Sequence, residues 1–307
     1  MKAVAALDQV VMRYGRVTAL DRVSFGLEAG SVVALVGHNG AGKTTVLKLV
    51  LGLIQPTEGT VRVLGGDPAG GKGAAIRRRI GFLPETASFH AAMTGRELLA
   101  FYAGLKGAVP AQAADILSHV GLDHAADRRV GTYSKGMRQR LGMAQALLGD
   151  PDLVLLDEPT SGLDPNSRLQ VYQTIDALKA RGKSILVSTH ALAEIEAHAD
   201  KVVLIHEGRV LAAGTLQGLR DGARLPTVAR LTVREGWEAG GLNAAGTGIH
   251  LDREADKVTI AVPQGAMPAF LGMLAEMRPW VAEVEIAPPT LDRLYQHLLA
   301  EAGGTAR

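Results

Sequence analysis

Short apolar runs alternate with amphipathic stretches along the first two thirds of the chain. Continuous apolar runs are typical of strands that are covered on both faces, as in a parallel sheet. Three such runs are Ser31–Val36, Asp152–Asp157 and Ser184–Ser188. The stretches between and around them predict helices at Gly42–Leu51, Thr94–Leu105, Ser134–Leu148 and Pro165–Ala180. Strands that alternate with helices in this way predict an α/β core.

The two ends of the chain have different patterns. Ala3–Val11 and Arg22–Leu27 alternate in the manner of antiparallel strands that flank the core. The tail predicts a small α+β accessory domain, with strands at Thr227–Val233, Lys257–Val262 and Val281–Ile286, helices at Ala266–Met277 and Thr290–Ala300, and a glycine-rich loop at Gly236–Gly248. We therefore expect two domains, residues 1–220 and residues 221–307.

Composition removes several classes of protein and of site. The 307 residues include no cysteine, which excludes a disulfide scaffold, a cysteine nucleophile and a thiolate metal site. A net charge of +2 is too small to imply a nucleic-acid or membrane partner. No apolar run approaches the ~20 residues of a membrane span, and the N-terminus lacks the features of a signal peptide. We therefore expect a cytoplasmic chain that is soluble by itself.

A glycine-rich loop between a predicted strand and a predicted helix matches the phosphate-binding pattern G-x-x-x-x-G-K-[ST]. Its residues are Gly37, His38, Asn39, Gly40, Ala41, Gly42, Lys43 and Thr44, and Thr45 follows. Such a loop directs successive backbone N–H groups toward one anion. Lys43 would add a point charge at the terminal phosphates, and the Thr44 hydroxyl would bind Mg²⁺. The alternative is a chance glycine-rich turn, which the four fixed positions and the strand–helix context disfavour.

Two acids end the apolar strand at 152–157. Asp157 is predicted to hold Mg²⁺, and Glu158 to point in another direction because side chains alternate along a strand. Glu158 would then act as a general base on the attacking water. The alternative is a strand that simply ends in solvated charges.

Four further motifs, taken with these two, resemble the ATPases of ABC transporters over about residues 3–220. They are Tyr133–Arg140, like the signature motif; Ser161–Asp164, like the D-loop; Ser188–His190, like the switch histidine; and Arg13–Gly15, like the loop that stacks adenine. The resemblance implies a P-loop NTPase fold, an ABC-type nucleotide-binding domain with an antiparallel β subdomain and a helical subdomain. It also implies ATP and Mg²⁺ as ligands.

The resemblance further implies a head-to-tail homodimer in which ATP lies between the phosphate loop of one protomer and the signature motif of the other. Ser134 and Gly136 would contact the γ-phosphate from the partner's side, and Asp164 would shape the interface. His190 would contact the γ-phosphate and orient the water, and Tyr14 would stack on adenine.

Two motifs depart from the family pattern. Tyr133, Lys135 and Met137 replace the leucine, one glycine and the glutamine of the usual signature. Glu85 stands where a glutamine normally contacts Mg²⁺ and the lytic water. Because a carboxylate also binds magnesium, we expect Glu85 to keep the metal-binding and sensing role.

The signature variant resembles that of ATPases that pair with ABC-2-type permeases, and the region Ala91–Gly95 is expected to receive the permease. Several variable stretches resemble the NosF-like branch, which serves the copper-linked maturation of nitrous oxide reductase with a membrane permease and a periplasmic partner. They are 124–130, 133–149, 196–198 and 289–295. That resemblance implies a subunit held at the inner face of the membrane by its permease.

Two other classes of function remain open. One is the ATPase of a general ABC-2 exporter for drugs, lipids or polysaccharides, with the same chemistry and another cargo. The other is a non-transport ABC ATPase, which the single phosphate loop and the lack of a long charged helical insertion disfavour. We expect no nucleic-acid partner.

Overall fold

The computed structural model describes residues 3–234, 237, 250–254 and 256–304. The chain divides into two compact units, Met1–Gly214 and Thr215–Arg307. The sequence placed the domain boundary after residue 220, which lies inside the helix Leu216–Ala223 of the second unit. The predicted loop Gly236–Gly248 lies outside the described residues except for Trp237.

The strands of the first unit form two sheets. In chain order they are β1 (Ala3–Tyr14), β2 (Val17–Glu28), β3 (Val32–Val36), β4 (Glu58–Val63), β5 (Ile80–Leu83), β6 (Leu153–Asp157), β7 (Ser184–Thr189), β8 (Lys201–His206) and β9 (Arg209–Gly214). One sheet has the order β2-β1-β4 and is antiparallel. The other has the order β5-β6-β7-β3-β8-β9, in which all pairs are parallel except β8–β9.

Helices connect these strands. They are α1 (Lys43–Val50), α2 (Gly73–Arg78), α3 (Gly95–Lys106), α4 (Pro110–His119), α5 (Lys135–Leu147), α6 (Pro165–Ala180) and the short α7 (Leu192–Ile195). The α/β core predicted from the alternation is therefore present, with the antiparallel sheet beside it.

The central strands explain why the apolar runs are continuous. Every residue of β3, β6 and β7 is buried, since other elements cover the sheet on both faces. Their registers align Val36 with Thr189 and Asp157 with Ser188. The carboxyl ends of the three strands therefore meet at one edge of the sheet, which is where parallel α/β sheets bind ligands.

The second unit has a separate core. Its helices are α8 (Leu216–Ala223), α9 (Met267–Glu276) and α10 (Leu291–Gly304), and its strands are β10 (Thr227–Val233), β11 (His250–Glu254), β12 (Lys257–Val262) and β13 (Val281–Ala287). The sheet is antiparallel with the order β11-β12-β10-β13. Phe270 is fully buried among the apolar residues of this sheet, and Met267 and Met273 of α9 pack against the same cluster. The methionines of α9 thus serve packing in this unit.

Among the residues that the structure describes, no helix combines the length and the apolar character of a membrane span.

Candidate functional site

A cavity of about 520 Å³ lies at the carboxyl edge of the parallel sheet. The predicted residues that line it are His38, Asn39, Gly40, Gly42, Lys43, Thr44, Thr45, Glu85, Asp157 and Glu158. The loops after β3 and β6 thus bring the phosphate-loop residues and the two acids of separate sequence motifs into one cavity.

The backbone of the phosphate loop depends on glycine. Gly42 immediately precedes α1 with a φ of 106°, a conformation that side-chain-bearing residues rarely adopt. A Cβ atom there would lie 2.9 Å from the carbonyl oxygen of Ala19. The loop therefore approaches β2 closely, and the first turn of α1 faces the cavity with the positive end of the helix dipole.

Two residues of the loop do not line the cavity. Ala41 is buried in the hydrophobic core, and its carbonyl oxygen accepts a hydrogen bond from Gly208 N at 3.0 Å. Gly37 is buried, and its carbonyl oxygen accepts a bond from Lys43 Nζ at 2.6 Å. Lys43 Nζ also donates to the carbonyl oxygen of His38 at 3.2 Å. These bonds hold the loop and the lysine in one fixed arrangement.

Glu158 lies between Lys43 and His190. Its Oε1 is 3.0 Å from Lys43 Nζ, and both side chains are more than nine-tenths buried. Its Oε2 accepts hydrogen bonds from His190 Nδ1 at 2.8 Å and from His190 N at 3.3 Å. The His190 side chain is 54% exposed, so its other ring nitrogen remains accessible. The three predicted residues are thus joined by direct contacts.

The sequence predicts that alternation along a strand sets the direction of the Glu158 side chain, but the structure shows another cause. β6 ends at Asp157, and Glu158 has a φ of 46°, in the left-handed region. Its N–H donates to the carbonyl oxygen and to the Oγ of Ser188, both at 3.1 Å. A left-handed turn fixed by the neighbouring strand, and not strand alternation, therefore aims Glu158 at Lys43. Strained residues of this kind are concentrated at functional sites.

Asp157 and Thr44 provide oxygen donors of the kind that magnesium prefers. Thr44 Oγ1 donates to Asp157 Oδ2 at 3.2 Å, and Ser188 Oγ donates to Asp157 Oδ1. Glu85 is exposed and lines the same cavity. Magnesium in nucleotide sites takes one or two protein carboxylates, with phosphate oxygens and waters as the other ligands. A hydroxyl and a carboxylate in contact, with a second carboxylate nearby, fit that requirement.

The remaining predicted residues do not line this cavity. Tyr14 is 45% exposed at the β1–β2 hairpin, whose next residues, Val17, Thr18 and Ala19, do line it. Ser134 is the N-cap of α5, where its side chain accepts a hydrogen bond from Met137 N at 3.2 Å. Asp164 is the N-cap of α6. The structure therefore separates the signature residues from the phosphate loop of the same chain.

Gly136 has a packing role within the chain. A Cβ atom at this position would lie 2.4 Å from Ser167 Oγ on α6. Ser167 Oγ donates to Asp164 Oδ2 at 2.6 Å, and Ser167 N donates to Asp164 Oδ1 at 3.0 Å. These bonds lower the pKa of the Asp164 carboxyl, with the side-chain bond from Ser167 as the largest cause. The beginnings of α5 and α6 are therefore packed closely together.

Several residues at the site were not predicted. Ser188 joins both acids, and His206 Nδ1 lies 3.0 Å from His38 Nε2 with the two rings edge to face. Glu207 and Gly208 also line the cavity. Ser188 could have been found from the register of β6 beside β7, whereas His206 gives no local signal because β8 places it there from 168 residues away.

Comparison with known proteins gives consistent results. A family model described as ABC transporter matches residues 20–161. The chain is 41% identical over 223 residues to the Nod factor export ATP-binding protein I of Burkholderia orbicola (strain AU 1054), covering 71% of this chain and 73% of that protein. It is 34% identical over 297 residues to the daunorubicin/doxorubicin resistance ATP-binding protein DrrA of Streptomyces peucetius, covering 93% and 89%.

A solved structure, described as the ATP binding subunit of an ABC transporter, superimposes with a TM-score of 0.65 at 33% identity. It covers 71% of this chain and 92% of the other. The sequence similarity, the shared fold and the joined motif residues lead to one conclusion. This chain belongs to the ATP-binding subunits of ABC transporters, an ATP-hydrolysing family.

Proposed function

We propose that this chain is the ATP-hydrolysing motor of an ABC exporter and drives a separate membrane permease. The observation that carries the proposal is the buried contact of Lys43 and Glu158, with His190 on the second carboxylate oxygen. A lysine that binds terminal phosphates and a carboxylate that takes a proton from water must lie beside the same γ-phosphate. Their direct contact within one cavity supports this arrangement.

In this proposal each residue has a role that is consistent with its contacts. ATP phosphates attract Lys43 away from Glu158, which frees Oε1 to accept a proton. Water attacks the γ-phosphorus, its proton passes to Glu158 Oε1, and the bond from phosphorus to the bridging oxygen breaks with its electron pair on ADP. His190 holds Oε2 and so fixes the orientation of the carboxylate. When bound by Thr44, Asp157 and Glu85, Mg²⁺ would neutralise the charge that develops on the phosphates.

The positions of Ser134, Gly136 and Asp164 support a homodimer. They lie at the beginnings of α5 and α6, and none lines the cavity of the same chain. A second copy placed head to tail would present the Ser134 hydroxyl and the positive end of α5 to the γ-phosphate. Closure around two Mg-ATP and reopening after hydrolysis would move the attached permease, which would hold the subunit at the inner face of the membrane.

Relatives named for export support the exporter class. The similarity to the daunorubicin/doxorubicin resistance protein covers 93% of this chain and therefore includes much of the second unit. A role in the copper-linked maturation of nitrous oxide reductase, with a periplasmic accessory protein, stays a narrower prediction that rests on the variable stretches alone. Neighbouring reading frames distinguish the two: resistance or polysaccharide genes favour export, and a periplasmic repeat protein beside a six-span permease favours maturation.

The test of the motor chemistry is Glu158→Gln. This variant keeps the shape of the side chain but removes the base, so we expect it to bind ATP and to hydrolyse it at least ~10²-fold more slowly. Asp152→Asn is the matched control, since Asp152 lies at the other end of the same strand in an exposed ion pair with Arg79. Turnover is measured as phosphate release. If Glu158→Gln turns over as fast as the control, Glu158 is not the general base.

A further inference from the structure

Arg168 of helix α6 contacts two segments at once, a loop and the helix α7. The Arg168 Nε donates to the carbonyl oxygen of Leu163 at 2.9 Å, within the loop Ser161–Asp164. The Nη1 of the same guanidinium forms an ion pair with the carboxylate of Glu194 in α7, four residues after His190. Because the guanidinium is planar and rigid, these two contacts fix the distance between the loop and α7.

Tyr172 adds a second connection one turn further along α6. Its hydroxyl donates to Glu194 Oε2 at 3.3 Å, and it also shares a hydrogen bond with the side chain of Thr160. Burial raises the pKa of Tyr172 to about 12, so the phenol remains a neutral donor at ordinary pH. The carboxylate of Glu194 is therefore held by both Arg168 and Tyr172.

A third connection follows on the next turn. The Tyr172 ring stacks on His198 with centroids 4.5 Å apart and an interplanar angle of 5°. His198 Nδ1 in turn lies 3.0 Å from each carboxylate oxygen of Asp176. Arg168, Tyr172 and Asp176 are four residues apart and share one face of the helix. This face therefore holds the segment that follows His190 along much of its length.

We infer that Arg168, Tyr172 and Glu194 form a positioning relay that couples the loop Ser161–Asp164 to His190. The inference rests on the proposed function, in which the loop faces the partner protomer and His190 holds Glu158. α7 has only four residues, which is too short to be stable by itself, so its position depends on contacts with the rest of the chain. These contacts include the burial of Ile195 and the bonds that Glu194 makes to Arg168 and Tyr172. A shift of the loop on dimer closure would pass through Arg168 to Glu194 and reach His190.

The exposure of the pair makes this role separable from stability. The Arg168 and Glu194 side chains are 41% and 28% exposed. Ion pairs at such positions contribute little to folding. Loss of the pair should therefore change turnover more than the unfolding temperature.

The experiment compares Arg168→Met and Glu194→Gln with Lys179→Met. Lys179 lies on the same helix and pairs with Asp200 at 2.6 Å, so its loss breaks a similar ion pair at the far end of α6. We expect kcat for ATP hydrolysis to fall roughly tenfold to a hundredfold in the first two variants, as for a small misplacement of a catalytic group, with KM for ATP and the unfolding temperature near those of the control. Arg168→Lys should be intermediate, because one ammonium cannot make both contacts.

A double-variant cycle tests the route of the effect. If Arg168 acts through His190, the variant Arg168→Met/His190→Ala should be no slower than His190→Ala in single-turnover hydrolysis. Two results would overturn the relay. One is that Arg168→Met and Glu194→Gln have the same kcat as Lys179→Met. The other is that the losses of the single variants multiply in the double variant. Should Arg168→Met fail to fold, the isosteric Glu194→Gln decides the question.

Glu158→Gln in the same assay separates the two proposals. If it stops hydrolysis while the Arg168 and Glu194 variants turn over like the control, only the relay is wrong. If it hydrolyses ATP normally, the proposed chemistry itself fails.

Discussion

At the scale of single residues, the site is held together by direct contacts between ionisable side chains. Lys43 and Glu158 are buried and face each other at 3.0 Å. A buried charge without a partner is costly, so each side chain of the pair supplies the partner that the other needs. In the proposed function, the phosphates of ATP would replace the carboxylate as the partner of Lys43.

Motif reasoning found these residues but could not give their conformations. The spacing of residues in the sequence is enough to identify the phosphate-loop pattern at Gly37–Thr44 and the two acids at the end of β6. The left-handed backbone of Glu158 depends on Ser188 in a neighbouring strand, and no local signal in the sequence reports it. Features that depend on local sequence patterns can be predicted. A backbone conformation that depends on contacts with a distant strand can be known only once the fold is known.

Gly136 gives a prediction at this scale. In Gly136→Ala the new methyl group would meet Ser167 Oγ and disturb its bond to Asp164, so we expect a loss of about 1–3 kcal/mol in the free energy of unfolding, typical of overpacking. Ser167→Ala removes the clashing hydroxyl, so the double variant should recover part of the loss relative to the sum of the single variants. Chemical denaturation measures all four proteins; strictly additive losses would show that the contact does not limit this position.

At the scale of elements, patterns identified the fully buried strands β3, β6 and β7 and most of the longer helices, but not the buried strand β8 or the helix α4. α5 and α6 were predicted to within a residue or so, because each combines a regular apolar pattern with an N-cap, Ser134 or Asp164. The edge strands β5, with four residues, and β9, which is half-buried, were not predicted either. Short strands at the edge of a sheet depend on pairing with a neighbour more than on their own pattern.

The packing of α6 against α7 predicts a pH dependence. The pKa of Tyr172 is raised to about 12 by burial, so the unfolded chain loses this proton at lower pH than the folded chain does. The folded state then binds more protons, and stability falls as the pH rises from about 10 toward 12. Tyr172→Phe should lose less stability over this interval, as measured by denaturant unfolding at each pH. Because both proteins share all other titrating groups, parallel losses in the two would contradict the assignment.

At the scale of the whole molecule, the two units have separate hydrophobic clusters. The first unit contains the cavity, and its core includes residues of both of its sheets. The second unit has its own cluster around Phe270. The change of pattern after about residue 220 predicted an accessory domain, but the sequence alone could not assign α8 to it, since an amphipathic helix gives no information about which unit it joins.

Separate cores predict separate unfolding. Phe270 is fully buried, so Phe270→Ala should destabilise the second unit by about 3–5 kcal/mol through the lost contacts and the cavity left behind. ATP binds the folded first unit and should raise its transition temperature, which identifies that transition in calorimetry. We expect Phe270→Ala to lower the other transition and to leave the ATP-dependent one and the ATP affinity unchanged. Leu271→Ala is the matched control, because Leu271 follows Phe270 in the chain and its own side chain is 51% exposed. A single transition that Phe270→Ala lowers and ATP raises would show instead that the two units unfold as one.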